Sequence, residues 1–299
     1  MNALTIATGI VALLTLASTP QQRPRTDQTV PVARGARLIV NAFAGDIIVR
    51  GWDRNAVRVQ ADHSSRDRIE MKATDSLVTI KPESSMGAPR SIDMEITMPA
   101  WMRLDLSGTY IDVTIAGSQG EITVETVRGD VNVKGGSGFV SLQSVEGVVT
   151  LEGAKGRINV RSVNEGIQLA DISGEIIAET VNGGITLDRI QSNSVDVATV
   201  NGDLSYDGSI RDDGQYRLAT HNGDITVVVS ETANATIAVR TFSGEFVAGF
   251  PVNIQDTTHR NKRFSVTVGS GSARMELESF GGTIRLQRPG APKPKRHER

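Results

Sequence analysis

Cysteine is absent from this 299-residue chain. That excludes disulfides, thiolate metal sites and lipid attachment through a cysteine. Aromatic residues make up only 4% of the chain. The four histidines, His63, His221, His259 and His297, show no metal-ligand spacing to one another. Neither sign of charge dominates: the formal net charge is -2, too weak a field to gather nucleic acid. No segment holds a 3.6-residue apolar period, which predicts almost no helix. Gly-x-Ser-x-Gly, phosphate-binding-loop and dinucleotide patterns are all missing, so the common hydrolytic and nucleotide chemistries have no residues to carry them. No cofactor and no metal site is expected.

Glycine, with 30 residues, and alternating β-branched residues are what the chain has instead. Between Glu125 and Val247 one short phrase recurs, in its fullest form Thr199-Val200-Asn201-Gly202-Asp203-Leu204. With the residue after the Ser/Thr as anchor, the copies fall at Val127, Val145, Val163, Val181, Val200, His221, Phe242 and Phe280. Their spacings are 18, 18, 18, 19, 21 and 21, then 38, close to two repeats. A fixed period of this size with strand-type alternation signals a solenoid, in which each coil covers the next. Asn-Gly between strands is also a hairpin signal, which would give an antiparallel meander. Only a solenoid gives like positions a reason to recur, because it stacks them about 4.8 Å apart. The predicted fold is therefore all-β, a single-stranded β-helix-like solenoid with coils of about 18–21 residues.

Alternation places Ile122, Val124 and Thr126 inward, then Val140, Leu142 and Ser144, and so on to Ile237, Val239 and Thr241. Asn-Gly suits the corner because both residues tolerate positive φ. Gly138, Gly156, Gly174 and Gly214 punctuate the opposite corner.

The ends differ from the middle. Residues 1–19 read as a secretory signal peptide, with an apolar stretch from Ala3 to Ala17 and small residues up to Thr19. That stretch is short for a membrane span of roughly 20 residues. Residues 20–28 read as a linker and 29–288 as the repeat domain, less regular over 29–105 and regular over 106–288. Residues 289–299 read as a disordered basic tail. A local basic run, His259-Arg260-Asn261-Lys262-Arg263, falls where an atypical repeat would turn.

Three polar rows could be sites. The Ser/Thr before each anchor continues the inward alternation, where its hydroxyl can bond the backbone. Asn164, Asn182, Asn201 and Asn222 recur in consecutive repeats and can hydrogen-bond along the axis. Asp46, Asp130, Asp203 and Asp224, joined by Glu245, sit three residues past their anchors. Val148, Gly166 and Gly184 interrupt this row, so it reads as solvated turn acids rather than a Ca²⁺ site. A polysaccharide lyase or hydrolase would need converging acids, and Asp203 with Asp224 is the nearest approach to such a pair.

Three stretches carry a family resemblance: Ala44-Gly45-Asp46-Ile47-Ile48-Val49-Arg50-Gly51-Trp52-Asp53, the Val-Asn-Gly-Asp repeats, and Gly269 to Ile284. In these the chain resembles the bacterial putative-adhesin family, exported β-strand-repeat proteins also classed as a domain of unknown function. The likeness spans roughly residues 29–287. It implies an extracytoplasmic β-solenoid with an adhesive or envelope role and no catalytic residues to transfer. The functional expectation is a non-enzymatic exported module, periplasmic or at the cell surface, with an envelope polysaccharide or envelope protein as partner. A carbohydrate-active enzyme and a periplasmic sensor domain are the alternatives. The candidate binding surface is the outer corner carrying Asn201, Asp203, His221, Asn222, Asp224 and Phe242, where bulkier rings replace the usual valine.

Overall fold

Inward valine, isoleucine and leucine recur at one-coil intervals, and parallel strand pairing holds them in register. In the computed structural model, which describes residues 25–87, 91–258 and 263–291, Val140 pairs with Ile122 on one side and Ile158 on the other. On the opposite wall Val149 lies between Val131 and Ile167. Each coil thus gives one strand to each of two walls, and the buried side chains between them form a continuous core. The described residues contain 23 strands and no helix. The chain is an all-β solenoid-like stack. Among the described residues no helix is long and apolar enough to cross a membrane.

The inward hydroxyls behave as the alternation predicts. Thr126, Ser144, Ser162, Thr180, Thr199, Thr220, Thr241 and Ser279 are all buried. Ser144 Oγ donates to the Gly129 carbonyl at 3.0 Å, Thr199 Oγ1 to Gly183 at 2.9 Å and Thr220 Oγ1 to Gly202 at 2.9 Å. Each satisfies a carbonyl of the preceding coil's corner, so the row ties coils together from inside.

Stacking does not follow chain order at the two ends. Ser279 is the partner of both Thr220 and Thr241, so the strand Ala273–Ser279 lies between Leu204–Asn222 and Ala235–Thr241. The coil that Ala273–Ser279 opens is therefore inserted one coil before the end of the stack. The N-terminal end does the same: Arg37–Trp52 lies between the coil of Leu77–Ser84 and Met94–Pro99 and that of Arg103–Ser118. A repeat period identifies coils but not their neighbours, and this is why the order was not legible.

Antiparallel strands then cap both ends. Asp67–Ala73 covers Leu77–Ser84, and Arg25–Pro31 covers Ala56–Asp62, itself antiparallel to Met94–Pro99. At the other end Arg263–Val268 covers Ala235–Thr241, and Asn253–Thr258 covers Arg263–Val268. Such caps shield stack ends that would otherwise template further pairing. The first strand begins at Arg25, so residues 25–28 are an edge strand and not linker. The signal-peptide reading, residues 20–24, His259 to Lys262 and the tail from Pro292 lie outside the described residues.

The corner glycines serve a purpose other than the one anticipated. Gly202 and Gly223 are not in the left-handed region. A Cβ on Gly202 would stand 2.0 Å from the Gly183 carbonyl oxygen, and one on Gly223 2.0 Å from that of Gly202. Glycine is needed at this corner because successive coils touch backbone to backbone. At the opposite corner Gly138, Gly156 and Gly174 do have positive φ, whereas Gly214 does not.

Candidate functional site

The anchor residues point out of the corner, and their side chains form an exposed apolar row. Val127, Val163, Val181 and Val200 are 49%, 36%, 42% and 43% exposed, and Phe280 and Phe242 follow at 44% and 61%. Phe43 occupies the same register position near the other end and packs edge-on against Tyr110, with ring centroids 5.7 Å apart.

The inserted coil brings three rings of this row together. In sequence they run His221, Phe242, Phe280; in space Phe280 stands between the other two. Its ring stacks on His221 at 4.6 Å and 17°, and on Phe242 at 4.7 Å and 8°. These distances match the spacing of adjacent strands, about 4.8 Å, so rings at one register position stack without strain. Phe280 was anticipated as an anchor but not as the centre of the stack.

Beside the rings, on the outer face of the wall, lies a groove of about 550 Å³. Ala198 and Ala219 are outward-facing small residues that leave room above the sheet, and Phe280 and Phe242 form one side. Arg217, Arg240 and Arg263 also line it, with Glu278. Arg217 pairs with Asp196 at 2.9 Å and Arg240 with Glu278 at 3.3 Å. The arginines were not foreseen as site residues. For Arg217 and Arg240 the available signal was their place in the outward alternation of the strands that precede the rings, and for Arg263 its place in the basic run from His259.

Across the rings from the groove runs the amide ladder. Asn182 Nδ2 donates to Asn164 Oδ1 at 3.2 Å, Asn201 to Asn182 at 2.9 Å and Asn222 to Asn201 at 2.9 Å. Each internal amide spends one N–H and one acceptor position on its neighbours, leaving one of each for solvent or a ligand. Asn201 and Asn222 are exposed.

Asp203 and Asp224 have a different role from the rings. Asp203 Oδ1 accepts the Asp224 backbone N–H at 2.9 Å, and Asp224 Oδ1 accepts that of Thr283 at 2.8 Å. Asp224 Oδ2 also pairs with Arg285 Nη1 at 2.5 Å. Asp112 and Asp130 make the same coil-to-coil bond, to the amides of Asp130 and Val148. These acids are thus backbone ties rather than merely solvated turn residues. At the N-terminal end the row continues through Asp93, Asp46 and Asp112, with Asp93 Oδ1 accepting the Asp46 backbone N–H at 2.9 Å and Asp112 the register partner of Asp46. Burial, then the charges of Asp93 and Asp112, push the Asp46 carboxyl above its ordinary range. Among the described residues no group of His, Asp and Glu could hold a metal ion.

The family described as Toastrack DUF4097 matches residues 29–287. Comparison with curated proteins finds no significant match. Similar solved structures include a putative adhesin from Bacteroides fragilis, 13% identical, with a TM-score of 0.41 over 88% of this chain and 97% of that one. A putative adhesin from Parabacteroides distasonis is 11% identical, with a TM-score of 0.36 over 88% and 97%. A putative lipid binding protein from the same species is 15% identical, with a TM-score of 0.40 over 88% and 96%.

Proposed function

The chain belongs to the Toastrack DUF4097 family, and from that premise we propose that it is a non-enzymatic, exported binding module of the cell envelope. Its working surface in this reading is the outer corner around His221, Phe280 and Phe242, with Asn201 and Asn222 beside them. One observation carries it: three exposed rings are stacked beside a groove on a rigid wall. Stacking hides their faces from each other but leaves apolar ring surface in water, with Phe242 61% exposed, a cost that binding would recover. The structures named adhesins and binding proteins are in keeping with a binding role. Asp203 and Asp224, the acids an enzymatic reading would use, are held by backbone amides and by Arg285.

Export and binding are tested together by fractionating cells and sedimenting the purified protein with envelope preparations. The protein is expected in the envelope or periplasm, lacking residues 1–19. Wild type is expected to co-sediment, and Phe242→Ala, which alters only an exposed side chain, to lose at least half of that binding. Recovery from the cytoplasm with the leader intact overturns the location. Undiminished binding by Phe242→Ala overturns the surface. Product release from polysaccharides, abolished by Asp203→Asn or Asp224→Asn, would replace this reading with the enzymatic one.

A further inference from the structure

Arg240 and Arg263 stand directly opposite each other on antiparallel strands at the end of the groove. Like charges in that position destabilise a sheet unless something neutralises them. Arg240 has Glu278 on its other side. Arg263 is exposed and has no ion-pair partner among the described residues. The groove is therefore apolar along one side and ends on a cationic pair with unused hydrogen-bonding capacity, a fork suited to carboxylate recognition.

The shape narrows the ligand further. Ala198, Ala219, Glu278, Arg240 and Arg263 lie on five successive strands. The groove thus runs along the solenoid axis for about 19 Å at the usual strand spacing. It lies on the face of a sheet, where main-chain groups are already paired within the ladder, so an extended peptide would find no backbone partners there. It is an open trough with one cationic end rather than an enclosed apolar chamber for an acyl chain. Exposed ring surface and side-chain polar groups are what a sugar polymer uses.

We propose that this groove binds an extended acidic polysaccharide, with a uronate carboxylate bridging Arg240 and Arg263 and sugar rings lying against Phe280 and Phe242. The assignment rests on the corner being the binding surface and adds the class of ligand. Calorimetric titration of the purified protein with oligogalacturonides, and with the same oligomers methyl-esterified, tests it. The acids are expected to bind and the esters to bind at least tenfold more weakly, with affinity falling as salt rises. Arg263→Gln is expected to weaken binding at least tenfold while leaving the thermal midpoint of the free protein unchanged or higher, because it removes the opposed charges. Equal binding of acid and ester, no binding of the acid, or indifference to Arg263→Gln overturns the proposal. If neutral oligosaccharides or anionic phospholipid vesicles bind instead and Phe242→Ala abolishes that binding, the corner stands and the acidic-polysaccharide assignment falls. If ligands bind and Phe242→Ala changes none of them, both readings fall.

Discussion

Gly281 and Gly282 are adjacent in one turn, yet alanine should be tolerated at the first and not at the second. A Cβ on Gly282 would stand 1.8 Å from the Gly223 carbonyl oxygen and 2.3 Å from its carbon. Real Cβ contacts essentially never fall below 3.0 Å, so one coil must retreat from the other by about 1.2 Å, the difference between 3.0 Å and the 1.8 Å contact. The Ser279 hydroxyl bonds the same Gly223 oxygen at 3.0 Å, and a retreat of that size takes it out of range. Overpacking costs about 1–3 kcal/mol, and the lost hydrogen bond about 1 kcal/mol more. Together these give about 3 kcal/mol, a fall of roughly 6–12 °C in midpoint for a domain of this size. A Cβ on Gly281 meets nothing nearer than Asn222 Oδ1 at 3.7 Å and Ser243 Oγ at 3.8 Å. Its φ is not left-handed, so alanine there should change stability by less than about 0.5 kcal/mol. Thermal and denaturant unfolding followed by far-UV circular dichroism measures both. Equal effects at the two positions, or a Gly282→Ala protein as stable as wild type, would refute the backbone-contact account of these glycines.

Two further predictions concern coil order and pH. In this cysteine-free chain, Ala219→Cys combined with Glu278→Cys should oxidise to a disulfide, because the two residues are register partners on adjacent strands. Ala219→Cys with Arg240→Cys should not, because Glu278 lies between them; mass spectrometry under non-reducing conditions decides, and the opposite result restores sequential stacking. Asp27→Asn and Asp46→Asn should shift the thermal midpoint in opposite directions at neutral pH. The Arg58 hydrogen bond holds the Asp27 carboxyl below its ordinary range. Its stabilising effect is therefore full above that range and disappears as pH falls through the folded value, so Asp27→Asn lowers the midpoint except in acid. Asp46 is pushed the other way, so Asp46→Asn raises the midpoint above the elevated folded value and loses that gain below the ordinary range. Midpoints measured across pH 2 to 7, chosen to span the range of about 3.9 for a free aspartate, test both signs.

The middle of the fold was legible because its signal is redundant. A valine, a hydroxyl and an asparagine each repeat with one period, and each has its own physical reason to stack. Ser144 beneath Gly129 and Asn201 against Asn182 follow from that period alone. The ends were harder to read, since the 38-residue spacing from Phe242 to Phe280 fits two regular coils as well as an antiparallel pair and an inserted coil. Gly202 was read for its φ when what mattered was a carbonyl 2.0 Å from its missing Cβ, a distance only the stacked coils reveal. The candidate corner was visible as three substitutions in the anchor row. Their contact as one stack depends on the insertion of Phe280, and the groove depends on strands that pair out of chain order.

That insertion also changes how the molecule resists being pulled apart. A solenoid wound in strict order can unspool from its end like thread, releasing one inter-coil ladder at a time. Here tension on the C-terminal end falls first on Ile284–Gln287, paired with Ile225–Val228 on one side and Phe246–Ala248 on the other, and then on Ala273–Ser279, gripped in the same way, so two ladders must shear together. Arg37–Trp52 is gripped in the same way near the other end. Near each extremity of the winding, then, a strand held on both sides must give way before the coils beyond it can unspool.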